Sequence, residues 1–72
     1  MERQKVESSN LSEIGYDIET QILEIQFKKG AVYQYEGVPL DVYSEFLESE
    51  SIGKAFSQLI KGGGYKYTCV GK

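Results

Sequence analysis

The most informative stretch of this chain is Gly30-Ala31-Val32-Tyr33-Gln34-Tyr35-Glu36-Gly37-Val38-Pro39. Its Tyr-Gln-Tyr centre has the two-residue period of a β-strand. A glycine and a proline follow, and proline is well tolerated in the first turn of a helix, where its missing N–H costs no hydrogen bond. The stretch therefore predicts a strand that ends near Glu36 and a helix that begins near Pro39.

A second strand precedes this stretch, because residues 22–27 alternate apolar and polar side chains. The connection between the two strands is Lys28-Lys29-Gly30. A two-residue loop would need Lys29 at positive φ, whereas a three-residue loop gives that position to Gly30, where glycine is favoured. We therefore expect a hairpin with a three-residue loop.

The loop length sets the register of the hairpin. The expected pairs are Phe27 with Ala31, Ile25 with Tyr33, and Leu23 with Tyr35. Both tyrosines then share the apolar face, since a shift of one residue would turn every side chain to the other face. The opposite face is mostly polar and is expected to be exposed, with Ile22 and Val32 as its apolar members.

The remaining segments complete an α+β domain. Residues 11–17 read as a strand, residues 17–21 as a turn, and residues 65–70 as a short last strand. Two apolar stripes predict two helices between the hairpin and the last strand: Val42, Tyr43, Phe46 and Leu47, then Ile52, Phe56, Leu59 and Ile60. The predicted order is β-β-β-α-α-β, a small antiparallel sheet with two helices packed on one face.

The domain is predicted over residues 11–70, preceded by a flexible N-terminal arm over residues 1–10. Ser49 or Ser51 could cap the second helix, and Gly62-Gly63-Gly64 would end it. The arm has Val6 as its only apolar residue after Met1, which argues against a signal peptide or a membrane span. We expect a cytoplasmic protein that makes no contact with membranes.

The composition argues against an enzyme. The 72 residues include no histidine and one cysteine, Cys69. Neither an intramolecular disulfide nor a usual zinc site can be built from them, and a serine nucleophile would lack the commonest general base. We predict no catalytic residues, no metal, no cofactor and no small-molecule substrate.

The chain is similar to the KTSC domain family. The likeness is carried by these residues and motifs: Ser9, Ile14-Gly15-Tyr16-Asp17, Leu23-x-Ile25-x-Phe27, Gly30-x-x-Tyr33-x-Tyr35-x-x-Val38-Pro39, Tyr43, Ser51-x-Gly53, Phe56, Ile60 and Tyr65. That family occurs at the C-terminus of some lysyl-tRNA synthetases and as small stand-alone bacterial proteins. The resemblance implies a fold, with Tyr33, Tyr35, Val38 and Pro39 as its mostly structural signature, and an association with RNA. It implies no particular reaction.

The lysines of the last third form the predicted RNA surface. The net charge is −3, yet residues 51–72 carry four lysines and no acid. The candidate RNA-binding residues are Lys54, Lys61, Tyr65, Lys66 and Tyr67, because basic side chains interleaved with aromatic ones suit single-stranded RNA or tRNA. The competing interpretation is that the lysines are merely solvated and the tyrosines belong to the core.

Interaction with a protein, or with a second copy of the chain, is the alternative function. A small sheet with an exposed face and an open edge can pair with another chain. Ile22 and Val32 would give the contact on that face a small apolar centre.

Overall fold

The computed structural model describes residues 3–71 of the chain. Its elements in chain order are β1 Arg3–Lys5, β2 Leu11–Asp17, β3 Ile22–Phe27, β4 Val32–Tyr35, α1 Leu40–Glu48, α2 Ile52–Ala55, a π-helical segment Phe56–Lys61, and β5 Tyr67–Gly71. We call α2 and the π-helical segment together the second helix. Within these residues the strands form one antiparallel sheet in the order β1-β2-β3-β4-β5.

The predicted hairpin is confirmed. Ile25 pairs with Tyr33 and Leu23 pairs with Tyr35 across β3 and β4. The loop closes through two backbone hydrogen bonds: Phe27 N–H to the carbonyl of Ala31 at 2.9 Å, and Gly30 N–H to the carbonyl of Phe27 at 2.9 Å. Gly30 has a φ of 103°, which a β-carbon would disfavour, so the loop needs glycine there.

The core lies between the sheet and the two helices. Its buried apolar residues are Leu11, Ile14, Leu23, Ile25, Tyr35, Val38, Phe46, Ala55, Phe56 and Ile60. Tyr16 ties β2 to the start of α1, since its ring stacks on Tyr43 at 4.2 Å and its hydroxyl donates to the carbonyl of Val38 at 2.5 Å. The predicted α+β class with both helices on one face of the sheet is therefore confirmed.

The flexible arm predicted for residues 1–10 needs a correction, and so does the element order. Arg3–Lys5 is a strand that pairs with β2, which adds a first strand and gives β-β-β-β-α-α-β. Arg3 Nε lies 3.5 Å from a carboxylate oxygen of Glu13 and 3.3 Å from one of Glu24. These ion pairs, on the face of the sheet without helices, help to hold β1. No alternation of apolar and polar residues marks β1, because its three residues are all polar. Met1 and Glu2 lie outside the described residues.

The helix boundaries follow the predicted signals. Pro39 immediately precedes α1, and the Ser51 hydroxyl accepts a hydrogen bond from Lys54 N–H at 3.4 Å at the start of α2. The second helix ends at Gly62, whose N–H donates to the Ser57 carbonyl at 3.0 Å. No helix of residues 3–71 has the length and apolar character needed to cross a membrane.

Candidate functional site

A cleft opens beside the second helix, above the helix-bearing face of β4 and β5. Its volume is about 810 Å³. We call it the aromatic cleft because six aromatic residues line it: Phe27, Tyr33, Tyr35, Phe56, Tyr65 and Tyr67. The other lining residues are Ser9, Asn10, Leu11, Lys28, Lys29, Ala31, Gly53, Ser57, Ile60 and Lys61. Its size lies within the usual range for ligand sites in proteins.

Strand pairing brings three of the tyrosines together. Tyr67 on β5 lies directly opposite Tyr35 on β4, and their ring centroids are 5.5 Å apart. The ring centroid of Tyr33 lies 6.5 Å from that of Tyr35 and 5.8 Å from that of Tyr67. The three side chains therefore form one continuous aromatic surface on the helix-bearing side of the sheet.

Exposure rises steeply across that surface. Tyr35 is only 5% exposed and packs edge-on against Phe56 at 5.7 Å, which makes it part of the core. Tyr67 is 62% exposed, and Tyr33 is intermediate. Burial, together with the neighbouring Tyr67 and Tyr33, raises the pKa of Tyr35 above its usual value near 10, so its phenol stays neutral at physiological pH. Tyr35 forms the floor of the cleft, while Tyr67 presents a free ring to solvent.

The triple glycine positions Tyr65 in the cleft. A β-carbon on Gly63 would lie 2.5 Å from the Tyr65 ring and 2.6 Å from the Leu59 carbonyl oxygen. No real side chain tolerates such distances, so the chain can fold this ring back towards the second helix only with glycine at this position. The predicted helix stop at residues 62–64 is confirmed, and close backbone approach is a second use of the same segment.

The aromatic cleft is basic although the chain is acidic. Lys28, Lys29 and Lys61 line it, and no aspartate or glutamate is among its lining residues. The whole chain carries a net charge of −3. The cleft therefore concentrates positive charge beside exposed tyrosine rings, and an anionic ligand with a flat apolar part would fit that combination.

The predicted lysines separate in the structure. Lys61 joins Tyr65 and Tyr67 in the aromatic cleft, whereas Lys54 lines a neighbouring groove with Glu7 and Glu50. Lys54 and Lys61 are seven residues apart and would share a face of a regular α-helix, but residues 56–61 form wider π-helical turns. Lys66 lines neither groove.

Sequence reasoning missed the two lysines of the hairpin loop. Lys28 and Lys29 directly follow Phe27, whose ring lies on the helix-bearing face against Tyr33 at 5.6 Å and Phe56 at 5.5 Å. The available signal was the three-residue loop itself, since it begins directly after an inward-facing phenylalanine. The site could not be predicted from the loop alone, because it also depends on the pairing of β5 with β4. That pairing brings the last third of the chain to this hairpin.

Hydrogen bonds to the backbone hold the polar segment Ser9-Asn10 of the cleft lining in place. Lys28 N–H donates to the Asn10 carbonyl at 2.8 Å, which joins the segment before β2 to the hairpin loop. The Ser8 hydroxyl accepts from Asn10 N–H and Leu11 N–H, both at 3.3 Å. These contacts hold Ser9 and Asn10 in the lining of the cleft, where they can offer hydrogen bonds to a ligand.

The described residues hold little that could form a metal site. Among residues 3–71, no group of three or more histidine, cysteine, aspartate or glutamate side chains is placed to bind a metal ion. Cys69 is exposed, and its thiol lies 3.4 Å from the Gly71 carbonyl oxygen.

Comparison with known proteins places the chain in a family. The KTSC domain profile matches residues 7–67. The chain belongs to the KTSC domain family. A crystal structure of a KTSC domain protein from Yersinia pestis superposes with a TM-score of 0.89 at 41% identity, and the match covers 97% of each chain. The fold described above is thus the fold of that KTSC protein.

Two sequence relatives show where the KTSC domain occurs. An uncharacterized protein of Stutzerimonas stutzeri is 46% identical over 67 residues, which cover 93% of this chain and 94% of the relative. A lysine–tRNA ligase of Trichormus variabilis is 41% identical over 63 residues, which cover 88% of this chain but 11% of the ligase. KTSC domains therefore exist both as small proteins and as segments of a much larger one.

Proposed function

We propose that this KTSC domain is a non-catalytic module that binds single-stranded RNA in the aromatic cleft. The observation that carries the proposal is the composition of the cleft, where Lys28, Lys29 and Lys61 surround tyrosine rings and no carboxylate is present. In a protein of net charge −3, such a surface favours a polyanion with flat, stackable groups.

The gradient of exposure supports contact with unpaired bases. Tyr67 offers a largely free ring, and a base that stacks on it would gain about 1–3 kcal/mol. Bases inside a duplex are already stacked on each other, so a stacking surface of this kind favours single strands, loops or unpaired ends. Ser9, Asn10 and Ser57 line the same cleft and could bond to base edges or to a ribose hydroxyl.

Charge sets an upper limit on affinity. Three lysines can neutralise at most three phosphates. For a single strand, the logarithm of the binding constant should therefore fall with the logarithm of the salt concentration with a slope of about −2. Binding should therefore weaken roughly twentyfold between about 50 mM and about 200 mM salt. This is the behaviour of a weak accessory contact, which suits a domain that also occurs as a small segment of lysine–tRNA ligases, enzymes named for their action on tRNA.

The test is a titration of the folded protein with a short oligouridine, followed by amide chemical shifts at low and moderate salt. The expected shifts fall on residues of the cleft, above all Tyr67, Lys61 and the hairpin loop. The variant Lys28→Glu/Lys29→Glu/Lys61→Glu should bind at least tenfold more weakly than the wild type, because the phosphates would meet repulsion in place of attraction.

The matched control is Lys54→Glu/Lys66→Glu, which changes two lysines that do not line the aromatic cleft. It should retain most of the affinity. Absence of shifts at low salt would refute the RNA proposal. So would a control variant that loses as much affinity per substituted charge as the cleft variant, because the attraction would then be general and not located in the cleft.

A further inference from the structure

We infer that the open edge of β5 pairs with β5 of a second copy of this chain, in antiparallel orientation about a two-fold axis at Thr68. The two sheets would join into one continuous sheet across the two copies. This inference rests on the backbone of β5 and on its side chains, and it holds whether or not the aromatic cleft binds RNA.

The backbone groups of β5 are oriented for such pairing. Glu36 N–H donates to the Lys66 carbonyl at 2.8 Å, so residue 66 directs its backbone groups towards β4. Hydrogen-bonded and non-hydrogen-bonded pairs alternate in an antiparallel ladder. Thr68, opposite Gln34, is therefore also bonded to β4, whereas Tyr67 and Cys69 direct their N–H and C=O groups away from the sheet.

The two edges of the sheet differ in protection. At one edge, β1 is three residues long and has Arg3 and Lys5 at its ends, which are common devices against edge pairing. At the other edge, β5 has the sequence Tyr-Thr-Cys-Val-Gly, with no charge and no proline, and its first four residues are exposed. Tyrosine, threonine and valine are good strand formers. Of the two sheet edges that residues 3–71 form, β5 is therefore the one without such protection.

A second copy of β5 is a better partner than β1 of another copy. Pairing β5 with β1 would bring Arg3 and Lys5 next to a strand that Lys66 precedes, and it would leave β5 of the second copy free to pair with a third copy. Pairing β5 with itself closes the assembly at two copies, as isologous interfaces do. The uncharged strand is also self-complementary, since it opposes no like charges within residues 67–71.

The bulge in β5 selects the register. The pairing with β4 is irregular after Cys69, where Gly71 lies opposite Val32 and Cys69 opposite Tyr33. The regular part of the edge is thus residues 67–69. An axis at Thr68 pairs Tyr67 of each copy with Cys69 of the other through four backbone hydrogen bonds, and it leaves the two Thr68 residues as a close, non-hydrogen-bonded pair.

This arrangement has a consequence for the clefts. A two-fold axis perpendicular to the sheet keeps the helix-bearing faces of both copies on the same side. The two aromatic clefts would then open in the same direction, with the Tyr67 rings near the shared edge. If the cleft binds RNA as proposed above, one strand could contact both clefts and gain avidity from their linkage.

Disulfide trapping tests the register. In the variant Thr68→Cys/Cys69→Ser, the two thiols would face each other across a non-hydrogen-bonded pair, with Cα atoms about 4.5 Å apart, near the lower end of the range that a disulfide spans. Under mild oxidation it should form crosslinked dimers at least tenfold faster than Thr20→Cys/Cys69→Ser, which places its single thiol in the exposed turn between β2 and β3. Wild-type Cys69 should crosslink slowly, because it faces Tyr67 of the other copy.

Equal rates for the Thr68 and Thr20 variants would refute the edge contact. Faster crosslinking of wild-type Cys69 than of the Thr68 variant would refute the register and move the axis to residue 69.

Sedimentation equilibrium over a range of concentrations tests the assembly without chemistry on cysteine. The average molecular mass of the wild type should rise from 8.1 kDa towards twice that value as its concentration increases. Thr68→Lys should stay monomeric, since it would place two ammonium groups together at the axis, and its exposed position should preserve the fold, checked by circular dichroism. Thr20→Lys should behave like the wild type. A wild type that remains at 8.1 kDa at millimolar concentration would overturn the inference.

Discussion

The helix-bearing face of the sheet is closed over β2 and β3 and opens from β4 towards β5. On the closed side, Leu11, Ile14, Leu23 and Ile25 have no exposed surface at all. On the open side, Tyr67 keeps 62% of its surface exposed although it lies on the same face. The strands of both sides alternate in the same way, so the difference comes from where the two helices lie. One half of the face is core, and the other half is a surface that can bind.

The largest effect is expected from a truncation in the closed half. Leu23→Ala removes a fully buried side chain whose strand neighbours are Tyr16 and Tyr35. The surrounding side chains relax only partly into the cavity that is left. The variant should lose about 2–5 kcal/mol of unfolding free energy, measured by urea denaturation. Ile18→Ala, at a side chain 61% exposed, is the control and should change stability by less than about 0.5 kcal/mol. Similar losses for both variants would contradict the division of the face.

An intermediate effect, with a different readout, is expected in the open half. Tyr67→Ala should cost less than about 1 kcal/mol of stability, because most of the ring is already in solvent. Its affinity for oligouridine should nevertheless fall by about 1–3 kcal/mol as a stacking surface is lost.

Leu40→Ala serves as the control for this prediction, since Leu40 is 46% exposed and does not line the aromatic cleft. It should leave RNA affinity unchanged. If Tyr67→Ala unfolded the domain instead, the open half would be core after all.

The smallest effect is expected at the border between the halves, and it appears only in alkali. Burial raises the pKa of Tyr35 in the folded protein above its unfolded value of about 10. The stability contributed by the neutral phenol is therefore complete below about pH 10 and is lost as pH rises through the folded pKa. Tyr35→Phe should flatten this alkaline loss, measured as urea midpoints between neutral and strongly alkaline pH.

At neutral pH the same variant should differ from wild type by less than about 1 kcal/mol. Some alkaline loss should persist in it, because the pKa values of Tyr16 and Tyr43 are raised as well, in both cases mainly by burial. An unchanged alkaline profile in Tyr35→Phe would show that Tyr35 does not behave as a buried floor residue.

Most of the fold could be predicted from the sequence, because it depends on interactions between residues that are close in the chain. The hairpin register followed from one loop, Lys28-Lys29-Gly30, and from the need for positive φ at its last residue. The helices followed from apolar spacing and from stop signals such as Gly62. By contrast, β1 has no apolar pattern. It is held by backbone pairing with β2, assisted by ion pairs from Arg3 to Glu13 and Glu24 that only the assembled sheet brings within reach.

The site was readable only in part. Lys61, Tyr65 and Tyr67, which the sequence predicts as binding residues, lie together in the aromatic cleft, whereas the predicted residues Lys54 and Lys66 lie outside it. The π-helical turns of residues 56–61 rotate Lys54 and Lys61 onto different grooves. That geometry depends on packing of Phe56 and Ile60 in the core, which no local spacing rule expresses.

The sequence by itself determined the hairpin, its register, the two helices and the burial of Tyr35, because each depends on residues close in the chain. The tertiary structure determined which strand lies beside β5, and it thereby determined which residues line the aromatic cleft. The pairing of β4 with β5 joins segments separated by both helices, so it depends on how the helices pack on the sheet. That packing covers β2 and β3 and leaves Tyr67 in solvent, next to three lysines from two distant parts of the chain.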